Sequence, residues 1–166
     1  MKKIFTLVVV ALMALGVSAS EYKHSVGVVA GSGIGAQYKV MVMDNFTIIE
    51  EFGYLGSLAA AGNGFALPTL GAVNNLVMAY QAMGAEGEGI QLDWFVGGQF
   101  KAGYINLGNA AGIVGFGAAA GIEANMQNAP IAFSFDFRPG YGCILTGNGA
   151  AHAFDWTINL GVRYTF

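Results

Sequence analysis

An all-β fold is predicted for this chain: eight antiparallel strands closed up-and-down into a transmembrane β-barrel, behind a cleavable signal peptide. Three observations carry that prediction. Apolar residues alternate with polar or small ones at period two in one segment after another. Mean hydropathy is +0.55 with only 10% charged residues, yet past the N-terminus no apolar run approaches the roughly 20 residues that a membrane helix needs. Glycine, 26 residues in all, interrupts every apolar stretch, so the hydrophobicity is delivered by alternation. Strands whose residues face lipid and lumen by turns have this composition.

Residues 1–19 read as an address. Lys2 and Lys3 precede an apolar run from Ile4 to Val17, broken by Thr6 and Gly16, and Val17-Ser18-Ala19 supplies the small residues a signal peptidase reads. No cysteine follows, so a lipid-modified N-terminus is not expected. Cleavage after Ala19 leaves one domain, 20–166, with five basic and ten acidic residues. It has no basic patch, which argues against nucleic acid as a partner. The single Cys143 excludes an intramolecular disulfide framework and reads as a small apolar filler.

The strands follow in order. Tyr22–Ala30 sets Tyr22, His24, Val26 and Val28 against Lys23, Ser25, Gly27 and Val29. After Gly31-Ser32-Gly33, Ile34–Val42 sets Ala36, Tyr38, Val40 and Val42 against Gly35, Gln37, Lys39 and Met41. Asp44-Asn45 is a tight hairpin turn. Phe46–Leu58 is the least regular, because strict alternation across the adjacent Glu50 and Glu51 sends one carboxylate to the lipid side. A β-bulge near the pair, or a place for Glu50 near a membrane interface, would relieve the conflict. An Ala/Gly/Pro connection over Ala59–Ala72 leads to Val73–Ala82, with Leu76, Met78 and Tyr80 on one side, and Gly84–Gly89 reads as a flexible acidic turn.

Ile90–Tyr104 opposes Ile90, Leu92, Trp94, Val96, Phe100 and Tyr104 to Gln91, Asp93, Gly97, Gln99 and Lys101, with Phe95 the one large apolar residue on the polar side. Gly112–Ala124 and Ile131–Cys143 alternate as cleanly, the latter with Ile131, Phe133, Phe135 and Phe137 against Ala132, Ser134, Asp136 and Arg138. The eighth strand is the C-terminus, Asp155–Phe166, with Trp156, Ile158, Leu160, Val162, Tyr164 and Phe166 on its apolar face. An even count puts both ends on one side, periplasmic for a chain arriving from the periplasm. The turns at Asp44-Asn45, Gly84–Gly89 and Asn125–Pro130 share that side. Gly31–Gly33, Ala59–Ala72, Ile105–Ala111 and Thr146–Phe154 are then the outer loops.

Charge decides which face is inside. The polar faces hold all five basic residues of 20–166 (Lys23, Lys39, Lys101, Arg138, Arg163) and five acids (Glu51, Asp93, Glu123, Asp136, Asp155). A solvated exterior would carry far more. A narrow lumen needs about this many in balance, because unpaired buried charge is expensive. The opposite face, rich in Phe, Tyr, Trp, Val and Leu, exceeds what a soluble monomer exposes. This weighs against the alternative of a soluble periplasmic lipocalin-like carrier, which is apolar inside.

The stretch Ala129–Tyr141, where Pro130 opens a strand and Asp136-Phe137-Arg138-Pro139 closes it, is similar to a pattern in small outer-membrane β-barrel proteins of Bacteroidetes-type bacteria. The glycine-rich start around Gly27–Tyr38, the Leu92-Asp93-Trp94-Phe95 strand and the aromatic C-terminus also resemble that family, and more broadly the OmpX/OmpA-like eight-stranded barrel. The resemblance covers nearly all of 20–166. It implies residence in outer-membrane lipid, assembly by periplasmic chaperones and barrel-insertion machinery, and an assembly signal in the C-terminal Tyr164 and Phe166. The short, nearly uncharged loops differ from many relatives and speak against an adhesive or ligand-capturing role.

Asp136, Arg138, Asp155 and Arg163 fall on the inward faces of strands seven and eight and form a candidate lumen charge cluster. Such a cluster locks strand register, or else lines a pore. Since eight strands enclose a bore just wide enough for side chains to fill, the locking reading is preferred. His24 and His152 are too few and too separated for a metal site; Ser25 adjoins His24 but points to the opposite face of its strand, and His152 has no acid nearby in its own loop, so no metal, cofactor or enzymatic activity is expected. Gly31–Gly35 is a turn and lacks the βαβ context of a phosphate loop. The expected function is that of a monomeric outer-membrane barrel with a structural or envelope-surface role. The alternative is a small transport protein or channel for ions or apolar solutes.

Overall fold

The computed structural model describes residues 22–31, 33–56, 69–106 and 110–166. They form eight strands: β1 (His24–Ala30), β2 (Ile34–Met43), β3 (Phe46–Gly56), β4 (Thr69–Gly87), β5 (Ile90–Asn106), β6 (Ala110–Met126), β7 (Ile131–Thr146) and β8 (Gly149–Thr165). Each pairs antiparallel with the next, and β1 pairs with β8 to close the barrel. The signal peptide expected at 1–19 lies outside the described residues, as does most of the connection expected at Ala59–Ala72.

The ladder is staggered. Successive partners from Val26 run through Tyr38, Glu50, Leu76, Phe100, Phe116 and Tyr141 to Phe154. Phe154 lies well beyond Leu160, the residue that pairs with the last residue of β1. A path perpendicular to the strands therefore climbs the wall, which is the tilt a closed barrel requires.

Burial follows sequence parity along most of the wall, breaking on β4 where Gln81 and Ala82 are both buried next to the register shift at Met83/Ala85. Along β7, Ala132, Ser134, Asp136 and Arg138 are 0–4% exposed while Phe133, Phe135 and Phe137 are 43–45% exposed. The charged and small residues are the interior, and the aromatics are the exterior. The interior also holds an apolar layer of Ile49, Val77, Ala79, Phe95 and Ala119. Phe95 fits because its cross-strand partner is Gly121, where a Cβ would stand 2.7 Å from the Phe95 ring.

Several boundaries differ from the sequence reading. β4 continues through Gly84 to Gly87, leaving Glu88-Gly89 as the turn, with Gly89 at φ 80°. Thr146–Phe154 is not a loop: β7 and β8 meet in a tight hairpin at Gly147-Asn148, and His152 pairs with Cys143 inside β8. A register shift does fall near the Glu50-Glu51 pair, at Gly53/Leu55, and β3 has another on its β2 side at Met41/Met43, but the ladder across Glu50 and Glu51 themselves is unbroken, so the two glutamates alternate strictly.

Candidate functional site

The chemistry of the described residues is concentrated in the lumen. Arg138 on β7 donates from Nε and Nη2 to the Asp136 carboxylate at 2.7 and 2.9 Å, and from Nη1 and Nη2 to Glu51 on β3 at 2.6 and 2.7 Å. This planar donor fork holds two carboxylates at once. Glu51 also accepts from Gln37 at 2.5 Å, and Asp136 accepts from Asn159 at 2.8 Å. A second group lies nearer the chain termini. Lys39 on β2 donates to both Glu123 oxygens on β6 at 2.7 and 2.9 Å, and Arg163 on β8 bonds the same carboxylate and Gln37. Toward the other mouth, Lys101 on β5 meets Asp155 on β8 at 2.5 Å.

The four residues singled out from the sequence are therefore all in the lumen, but not as one cluster. The β7–β8 register sets Asn159 opposite Asp136 and Thr157 opposite Arg138, while Arg163 faces Ala132 and Asp155 faces Gly140. Asp136 and Arg138 bond each other, whereas Arg163 and Asp155 are displaced along the barrel axis and find Glu123 and Lys101 instead. Glu51, Glu123, Lys39, Lys101 and Gln37 complete the three sets. Their inward parity is readable from the sequence, but their pairings are set by the ladder.

Strands four apart in a ring of eight face one another across its diameter. The Arg138–Glu51 (β7 to β3) and Lys39–Glu123 (β2 to β6) bridges thus span the full bore. Asp93 is held by the carboxamides of Gln81, Gln91 and Asn125 at 2.8–3.0 Å. Gly161 has no side chain where one would collide with Ser134 Oγ and Gln37 Oε1, which leaves room for the Arg163 network. A shallow opening at the end bearing the termini is lined by Lys23, Ser25, Lys39, Glu123, Asn125 and Thr165 among others.

The remaining candidates lie on the exterior. His24 Nδ1 is 2.9 Å from the Tyr38 hydroxyl, and its ring stacks on Phe166. His152 stacks on Tyr141 with ring centroids 5.9 Å apart. Tyr164 stacks on Phe166, and the Phe166 backbone exchanges two hydrogen bonds with His24, at 2.9 and 3.1 Å, across the closing seam. Among the described residues, no three His, Cys, Asp or Glu side chains are grouped to hold a metal ion.

Comparison by sequence finds no matching family model and no curated relative. By structure, the chain is similar to a major outer membrane protein from Thermus thermophilus, with TM-score 0.51 and 15% identity over 89% of this chain and all of that one. A structure of Neisserial surface protein A (NspA) matches with TM-score 0.45 and 12% identity, over 86% of this chain and 93% of that one. The first of these likenesses gives the class of fold: an antiparallel up-and-down barrel of the kind found in an outer-membrane protein.

Proposed function

We propose that this chain is an integral outer-membrane barrel, exported by a signal peptide at 1–19, with a structural or envelope-surface role and no open pore. The inverted surface supports membrane residence, because large apolar side chains are exposed along the strands while nine charged residues, Arg138, Arg163 and Glu123 among them, are buried. The observation that carries the closed-lumen reading is the pair of diametric bridges, Arg138–Glu51 and Lys39–Glu123. Water cannot replace either without separating buried charges, which is costly in a narrow bore. They weigh against the channel alternative, and the outward aromatics weigh against a soluble carrier. The OmpX/OmpA-like resemblance and the assembly role of Tyr164 and Phe166 belong to the same reading.

The test has two parts. Purified chain refolded into vesicles should resist alkaline extraction and migrate anomalously on gels until boiled. In planar bilayers the folded protein should be electrically silent. Recovery from the periplasm without detergent would sink the membrane assignment, and steady single-channel conductance would sink the closed lumen.

A further inference from the structure

Among the described residues, the lumen absorbs the charged side chains of the strands except Glu86, which is exposed at the end of β4, and Glu50. The β3–β4 ladder is unbroken from Thr47↔Ala79 to Gly53↔Val73, so Glu51 points into the lumen and Glu50 points out between Ile48 and Phe52. Asn74 on β4 also points out, and its Nδ2 donates to the Glu50 carboxylate. Leu76, opposite Glu50, lies four residues from Tyr80 and four from Ala72, the partner of Tyr104. Tyr80 packs with Trp94 toward the end that holds Phe166, and Tyr104 lies toward the opposite mouth. At about 3.3 Å per residue and a tilt near 40°, the Glu50–Asn74 pair lies roughly 10 Å along the axis from either of these aromatic levels, among outward apolar residues.

Its hydrogen bonding is incomplete there. One N–H of Asn74 meets Glu50, and among the described residues no other protein group bonds either side chain. The cross-strand neighbour Ala102 is too small to shield Asn74. In hydrocarbon, unsatisfied polar valences seek polar partners, and such groups associate membrane segments.

We propose that the lipid-facing side of β3 and β4 is a self-association surface on which a second copy of this chain docks through Glu50 and Asn74. A two-fold axis along the membrane normal is the one symmetry that keeps both copies upright. It keeps every group at its own depth, so the hydrogen-bonded Glu50–Asn74 pair of one copy lies against the same pair of the other, with donor and acceptor of each within reach of its counterpart. The group set is self-complementary, with donor and acceptor present on both sides, which selects a second copy over an apolar partner. This departs from the monomer expected from the sequence, and it rests on the membrane reading above.

The test is site-directed crosslinking of the refolded chain in dilute phosphatidylcholine vesicles, with Cys143→Ser removing the native thiol. Single cysteines replace Leu76, beside the pair, or Leu160, which faces lipid from the far wall. Disulfide dimers are expected at Leu76→Cys roughly tenfold above Leu160→Cys. Adding Glu50→Leu with Asn74→Leu removes the excess, while Glu50→Gln, which keeps a hydrogen-bonding group, retains it. Equal crosslinking at the two positions, or a Leu76→Cys dimer indifferent to the leucine pair, overturns the proposal. The two-position comparison decides by itself where the leucine variant fails to fold. Alkaline extraction is scored alongside: a protein that washes off sinks the membrane reading, whereas an embedded monomer sinks only the dimer.

Discussion

Arg138 concentrates more of the lumen's electrostatics than any other described residue, since its guanidinium serves Asp136 on its own strand and Glu51 across the bore. Removing one member of such a set leaves uncompensated buried charge, a larger penalty than the set's own net contribution. Arg138→Met is therefore expected to destabilise the folded barrel by about 3–5 kcal/mol in urea titrations followed by Trp94 and Trp156 fluorescence. Adding Glu51→Leu should restore part of that loss, because it removes one of the stranded carboxylates. If the double variant is less stable than the single, the charges do not act as a set. Gly121 gives a second prediction at this scale. A methyl group there meets the Phe95 ring, the Asp136 Cβ and the Phe135 carbonyl, all within 2.7 Å. Gly121→Ala should cost about 1–3 kcal/mol in the same assay, as overpacking does. Phe95→Leu in the same chain should recover some of it by vacating the ring position.

The closing strand shows what a single element contributes. Phe166 completes the β1–β8 seam through two backbone bonds to His24 and stacks on both His24 and Tyr164. Deleting it removes the last rung and one aromatic of the girdle. The yield of heat-modifiable barrel from refolding, and of assembled protein in cells, should fall several-fold, and an unchanged yield would remove the terminal residue from the assembly reading. The C-terminal part of this element was legible in the sequence, because large apolar residues occupy every second position from Trp156 to Phe166. The upper half of the same strand was not. Ala150, Ala151 and Ala153 are too small to mark a face, so the hairpin at Gly147-Asn148 read as a loop. Inward and outward sets were readable where large residues alternate, since parity is local. Charge partners were not, since Arg163 reaches Glu123 and Arg138 reaches Glu51 only after every intervening register is fixed, and a one-residue slip would reverse each face. The Glu50-Glu51 conflict was visible too, but its outcome depended on Asn74 lying within reach on the neighbouring strand.

For the whole molecule, the strands are unequal: β1–β3 run 7–11 residues and β4–β8 run 16–19. A staggered ladder lifts each successive strand, so the tall part of the wall stands at the end opposite Tyr22 and Phe166. The hairpins at Asp44-Asn45 and Glu88-Gly89 share the end that holds Tyr22 and Phe166, and Gly147-Asn148 crowns the other. On the proposed delivery from the periplasm, with the end that holds Tyr22 and Phe166 facing it, the tall rim is expected to point outward. Orientation then becomes measurable with an impermeant thiol reagent on cells carrying the Cys143→Ser background. Asn148→Cys, on the exposed β7–β8 tip, should label on intact cells. Glu88→Cys, in the turn at the other end, should label only after the outer membrane is permeabilised. The reverse pattern would turn the barrel over, and labelling of both sites on intact cells would mean that the apolar belt does not span a sealed bilayer.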